Sequence, residues 1–341
     1  MRFNKNTYIL LISLSLGLII VFLINITHGA AKISLNDFFN IWSTENSNDT
    51  IKHIILNFRL PKAINAVLVG SALGISGLLM QTFFKNPLAG PYVLGINSGA
   101  SFGIALCIMG GQLIPQIHYL LLTKWTYTIA ASLGSLLVLL IVMSLSIKVK
   151  DSMSLLIVGI MFSSITSGIV SILSFFASAE ALQQYVFWGF GNISKLSWNE
   201  TQAFCAIVIV GIIISFYLSK CLNSLQLGEF YAKSLGQYTQ KHRFLIITVT
   251  SILCGSVTAF AGPIAFIGLA IPHLSKLIFK TSNHSILILG CIFLGSILML
   301  LCDYFSQLPS DGITLPINAI TAIVGAPMVL FLLLKSQKII H

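Results

Sequence analysis

Ten apolar runs, most of them close to bilayer length, alternate with short polar stretches along the chain. The first covers about residues 8–26. The second opens on Arg59-Leu60-Pro61-Lys62 and continues to about Phe84, with Pro61 suited to a first helical turn, where its missing N–H costs nothing. The others fall near 96–114, 125–147, 153–177, 201–218, 244–260, 264–279, 285–301 and 313–334. A helix that crosses a bilayer needs about 20 apolar residues, and these runs meet or approach that length. The first run is too long for the core of a secretory signal, which spans about 7–15 residues, so it reads as a retained first span with its N-terminus inside.

The polar stretches carry their own information. Residues 29–57 form a polar loop with Asp37, Glu45 and Asp49, and Lys85-Asn86-Pro87-Leu88-Ala89-Gly90-Pro91 breaks the helical pattern. Residues 185–198, with two tryptophans, read as an interfacial segment. The longest interruption that still reads as helix is 222–243, LNSLQLGEFYAKSLGQYTQKHR. Within it Leu227, Phe230, Tyr231 and Leu235 share one face, and Glu229 and Lys233 form an i, i+4 pair on the other. Gly228 opens the segment, Gly236 is a candidate C-terminal cap, and Asn223 and Ser224 are candidate N-caps. An amphipathic helix wedged between two spans is too small to be a domain and reads as a docking surface.

Composition sharpens the class. Of 341 residues 56% are hydrophobic and only 8% charged, with a mean hydropathy of +0.94, against about 25% charged in a soluble domain. The net charge of +10 reports topology here, and no basic patch with interleaved aromatics points to nucleic acid. With the N-terminus inside and ten spans, Lys32, Lys52, Arg59, Lys62, Lys124 and Lys195 fall outside and the rest of the 19 Lys and Arg fall inside. That asymmetry satisfies the positive-inside rule and places 222–243 in the cytoplasm. In the second span Gly70 and Gly74 form GxxxG, a close-packing signature in lipid. Ala89-Gly90-Pro91 recurs as Ala261-Gly262-Pro263, each time before a short run, but a tripeptide is weak evidence for an inverted repeat.

Candidate chemistry is sparse. Gradient-driven transporters usually carry ionisable groups inside their spans. Of nine acidic residues only Asp303 sits in apolar context, near the outer end of a span, where a hydrogen-bonded interfacial carboxylate is the simpler reading than a proton relay. His273 follows Pro272 with no second ligand near it, so it reads as a packing residue. The six cysteines show no CxxC or metal spacing and read as small buried hydrophobes. Neither a GxxxxGK[ST] loop nor a GxSxG or HExxH motif occurs, so no cofactor and no catalytic residue are expected. The energy for transport must then come from a separate subunit, and a helix displayed between spans could receive it. The rival is a gradient-driven secondary transporter, disfavoured by the lack of deep carboxylates.

Several motifs together resemble the FecCD-type permeases of ATP-binding-cassette importers, a family that includes the vitamin B12 permease. They are RLPK at 59–62, QTFFKNPLAGPYVLGINSGA at 81–100, LNSLQLGEFYAKSLG at 222–236, AGPIAFIGLAIPH at 261–273 and LPINAITAIVGAPM at 315–328. The resemblance implies a single all-α domain of about ten transmembrane helices with both termini cytoplasmic, in the type II importer permease fold of the bacterial cytoplasmic membrane. It implies a second permease subunit, two cytoplasmic ATPases that bind the ATP, and a periplasmic or lipid-anchored substrate-binding protein. Siderophore, haem and cobalamin are the substrate classes. Residue by residue, Leu227, Gly228, Glu229, Ala232, Leu235 and Gly236 match the ATPase-coupling segment, and Arg59 and Lys62 match the basic pair that meets the binding protein. Gln307 stands where the family often has an arginine, Lys62 replaces an arginine, and the ELPxG motif reads Thr314-Leu315-Pro316-Ile317-Asn318, so that outer contact is expected to be softer. Gln81, Asn86 and Pro87 are candidate pore residues, and Ser152 and Met153 match the inner gate by position, where plain loop packing accounts for them equally well.

Overall fold

The computed structural model describes residues 5–29, 33, 49–113, 124–149, 152–237, 239–309 and 314–337. Asp37, Glu45, Asp151 and both chain ends, which bear on the expected loops and topology, lie outside them. The described residues form helices and no strand. In chain order they are α1 (Lys5–Thr27), α2 (Asp49–Phe83), α3 (Ile96–Ile108), α4 (Lys124–Lys148), α5 (Ser152–Phe176), α6 (Ala179–Gly189) and α7 (Trp198–Tyr217). Then follow α8 (Ser219–Gln226), α9 (Glu229–Ser234), α10 (Gln240–Ala261), α11 (Ile267–Phe279), α12 (His284–Ser306) and α13 (Ile317–Gln337). Seven of these helices are long and apolar enough to cross a membrane, and α3, α11 and the apolar part of α13 are shorter. Every expected apolar run is therefore a helix.

The core forms around α2, in which each residue from Leu68 to Phe83 is buried. Helices α7, α10, α11 and α12 surround it. Small residues make this possible, because no hydrophobic effect drives helices together in lipid and close backbone approach must supply the packing. Gly70 lies against the backbone of Gly295 in α12, and Gly74 lies 2.9 Å from Ile271 and 3.0 Å from the Cys291 carbonyl, measured from an added Cβ. A second cluster joins α3 to α4 through Gly99, Gly103 and Gly134, whose backbones touch. By contrast α1 and α5 stay peripheral, with 11% and 17% of their apolar windows buried.

The start of α2 differs from the expectation. The helix begins at Asp49, inside the stretch read as a loop, and Pro61 sits in its interior. A proline there removes a donor and presses its ring on the carbonyl four residues back. The chain answers with a π-helical turn at Ile55–Arg59, in which the Leu60 N–H reaches the Ile55 carbonyl. That wider turn lets the helix pass through the proline unbroken.

The two Ala-Gly-Pro breaks are alike in context. Each follows a long buried helix and precedes a helix of 13 residues, α3 in one case and α11 in the other. The breaks also touch: the Tyr92 hydroxyl donates to the Ile264 carbonyl at 2.9 Å. Side-chain hydrogen bonds join neighbouring helices at both ends of α2. At one end Arg59 reaches the Ile26 carbonyl and Trp198 Nε1 the Leu56 carbonyl; at the other Arg243 reaches the Val149 carbonyl and Asn223 meets His284.

Candidate functional site

The segment 222–243 is not one helix but a corner. Helix α8 lies against the bundle with Cys221, Leu222 and Leu225 buried. At Gly228 the backbone takes φ 126° and ψ 147°, a region open essentially to glycine alone, and the chain turns into α9. Asn223 and Ser224 lie inside α8, so they are not N-caps. The C-terminal cap is as expected: Gly236 is left-handed at φ 67°, its N–H reaches the Lys233 carbonyl, and the Gln237 N–H reaches that of Ala232. This is a Schellman motif. Glu229 and Lys233 are ion-paired at 2.7 Å on a solvent-exposed face, an interaction worth about 0.3–0.5 kcal/mol in such a setting.

The other side of the corner is apolar and uncovered. Ala232 is fully buried and anchors α9, whereas Phe230 is 91% exposed and Leu227, Tyr231 and Leu235 are exposed beside it. Leu227 precedes the Gly228 turn, Phe230 and Tyr231 lie on α9 and Leu235 caps it, so four exposed large apolar side chains flank one corner whose buried anchor on α9 is Ala232. Contiguous exposed patches of this kind mark interaction sites.

At the opposite end the expected outward-facing basic pair turns inward. Lys62 Nζ lies 2.9 Å from Asp303, whose side chain is 2% exposed. Asp303 also accepts from Asn25 Nδ2 and from Gln307 Nε2, both at 2.9 Å. Arg59 is 9% exposed and donates to the carbonyls of Ile26 and Thr27 at 2.8 Å. Arg59, Lys62 and Gln307 thus belong to a buried network that fastens α1 and α2 to α12, because a carboxylate in this position needs partners more than the surface needs cations. Asp303 is a hydrogen-bonded, ion-paired carboxylate. The sequence signal for its partners was weak: Asn25 reads as an isolated polar residue at the end of an apolar run.

The candidate gate residues do not form one cluster. Gln81 is buried and donates to the Leu269 carbonyl at 3.1 Å, while its Oε1 finds no partner. The Asn86 side chain accepts from the Leu88 N–H at 2.9 Å, stabilising the turn, and Pro87 is exposed. Ser152 opens α5, and its side chain lies outside the described residues. Met153 is exposed, at the head of a stripe on α5 that continues through Ile157, Met161, Ile165, Ile172 and Phe175. A cavity of about 370 Å³ lies elsewhere, between α4, α6, α7 and α10, lined by Tyr127, Phe187, Trp188 and Phe260 with Lys195 and Glu200. None of the candidate gate residues borders it.

Comparison with known proteins bears on the whole chain. The family model of the FecCD transport family matches residues 17–335. The hemin transport system permease protein HmuU of Yersinia pestis is 31% identical over 329 residues, covering 95% of this chain and 96% of that protein. The vitamin B12 import system permease protein BtuC of Shigella boydii is 32% identical over 328 residues, covering 96% and 95%. A solved structure described as an inward-facing conformation of a metal-chelate type ABC transporter superposes with a TM-score of 0.84 at 30% identity, covering 96% of this chain and 99% of that one. PsaBC from Streptococcus pneumoniae, at a TM-score of 0.58 and 18% identity over 83% of this chain, shares the fold alone. A bundle of apolar helices around a buried α2, matched from end to end by permeases of ABC importers, leaves one assignment: the chain belongs to the FecCD transport family.

Proposed function

We propose that this chain is the membrane-spanning subunit of an ATP-driven importer for a bulky metal chelate, haem or cobalamin, with ATP hydrolysed by separate subunits that dock on α9. The observation that carries this reading is the set of exposed apolar side chains at the α8–α9 corner, Leu227, Phe230, Tyr231 and Leu235, around a short helix bounded by Gly228 and Gly236. A second permease subunit, identical or related, would cover the exposed stripe of α5 and enclose the pathway with it. The substrate classes follow the printed functions of the relatives, haem and vitamin B12, and the metal-chelate neighbour. A binding protein would deliver substrate at the Asp303 end. Arg59 and Lys62 are engaged internally there, so its contact falls on other residues or requires the network to open. ATP binding would draw the docked subunits together and shift the corner as a rigid body.

Co-purification tests the reading. The tagged chain, solubilised from its native membrane, is expected to bring an ATPase with it. Phe230→Asp, which alters a side chain 91% exposed and leaves the bundle untouched, is expected to lose that ATPase. So is Glu229→Lys, which replaces the ion pair to Lys233 with a like-charge contact. An ATPase bound equally by wild type and both variants would overturn the docking role of α9.

A further inference from the structure

One buried hydrogen-bond chain ties the α8–α9 corner to two other helices. Asn223, in the middle of α8, accepts at Oδ1 from both the backbone N–H and the Nδ1–H of His284, each at 2.8 Å. His284 is fully buried and is the first residue of α12. Its Nε2 lies 2.8 Å from the hydroxyl of Thr82, in the last turn of α2. The backbone N–H settles the proton positions. It orients Oδ1, and not the amide nitrogen, toward the ring, so Nδ1 must carry a proton. In the neutral imidazole Nε2 is then bare and accepts from Thr82, whose single hydroxyl proton leaves its alternative acceptor, the Leu78 carbonyl 2.9 Å away. Every group along this path has a defined role.

Its position gives this chain a purpose beyond stability. Asn223 sits four residues before the apolar face on which an ATPase would dock. The two helix ends it reaches both adjoin a turn on a left-handed residue other than glycine. Lys85 at φ 49° lies three residues after Thr82, and Lys280 at φ 46° lies four residues before His284. Such turns are strained and are places where a helix end can pivot.

We propose that Thr82, His284 and Asn223 form the joint that carries displacement of the α8–α9 corner into the ends of α2 and α12. This rests on the docking reading above. The three are positioning residues: they touch neither substrate nor nucleotide. Removing the joint should leave the ATPase bound and the corner responsive, while the rest of the bundle no longer follows.

Hydrogen–deuterium exchange on the permease purified with its ATPase tests this without knowledge of the substrate. In the wild type a non-hydrolysable ATP analogue is expected to change exchange at residues 219–236 and also at 80–90 and 280–288. In Thr82→Val, which keeps the side-chain shape but leaves His284 Nε2 without its donor, and in Asn223→Ala, the change at 219–236 should persist while the other two fall at least twofold. Thr82→Ser keeps the hydroxyl and should behave as wild type. Unaltered propagation in both Thr82→Val and Asn223→Ala would overturn the joint. So would a wild-type response confined to 219–236, or equal loss at all three segments. An ATPase absent from the wild-type preparation would instead overturn the docking reading, and the joint with it.

Discussion

Lys62 and Asp303 show how costly a single charge is in this bundle. Breaking a buried pair strands the remaining ion, so Lys62→Met should destabilise the protein by about 3–5 kcal/mol. Pairing it with Asp303→Leu should restore part of that loss, because two apolar side chains can replace a buried ion pair at little cost. Thermal unfolding of the single and double variants in detergent checks both expectations. Gly77 makes the complementary case for volume. Its Cα faces the Gly268 carbonyl, which Pro272, four residues on, leaves without its usual helical donor. Gly77→Ala should therefore cost at least about 1–3 kcal/mol as overpacking. Gly168→Ala, in α5 with nothing within 4 Å, should be neutral or stabilising for the single subunit. Cys221 is buried and its thiol is pushed up to about 11 by desolvation. Below that pH it stays protonated, so iodoacetamide at pH 8 should modify it only when α8 lifts from the bundle; rapid labelling of the native protein would contradict the packing of α8.

At the scale of an element, Gly228 decides where α9 points. A side chain at φ 126° and ψ 147° costs on the order of 1–3 kcal/mol, yet no atom lies within 4 Å of where it would go. The strain falls on a corner at the edge of the bundle, so Gly228→Ala should lower the melting temperature slightly and weaken ATPase retention, the latter measurable by co-purification. Much of this element is legible in the sequence, because its polar face, its apolar face and both glycines lie within a few consecutive residues. The bend is less so: a continuous helix and two helices at a corner share nearly the same periodicity. The start of α2 is hidden for a related reason. Pro61 suggests a first turn, and the π-helical turn that lets the helix extend back to Asp49 has no residue signature of its own. The inward turn of Lys62 is hidden by distance, since its partner Asp303 is supplied by a helix near the other end of the chain. Apolar runs, by contrast, announce themselves, and each became a helix.

For the whole molecule, exposure separates helices that need a partner from those that need only lipid. The stripe of α5 from Met153 to Phe175 and the outer face of α1 are both apolar and uncovered. In the proposed assembly they differ. Single cysteines at Ile157 or Ile165 of a cysteine-free variant should crosslink to a second permease subunit in native membranes, and cysteines at Ile12 or Ile19 of α1 should not. Crosslinking from α1 alone would place the dimer interface on the other side of the bundle.

The burial of α2 has a consequence for the bilayer itself. Its 35 residues amount to about 52 Å of helix at 1.5 Å per residue, well beyond the roughly 30 Å of a hydrocarbon core. The excess is the polar opening of the helix, with Asp49, Lys52, His53 and Asn57, which extends past the hydrocarbon and imposes no mismatch of its own. Protein, not lipid, sets the depth of α2, so membranes of different thickness should leave its pose unchanged. Peripheral α1, held mainly along α12, should absorb the mismatch by tilting first.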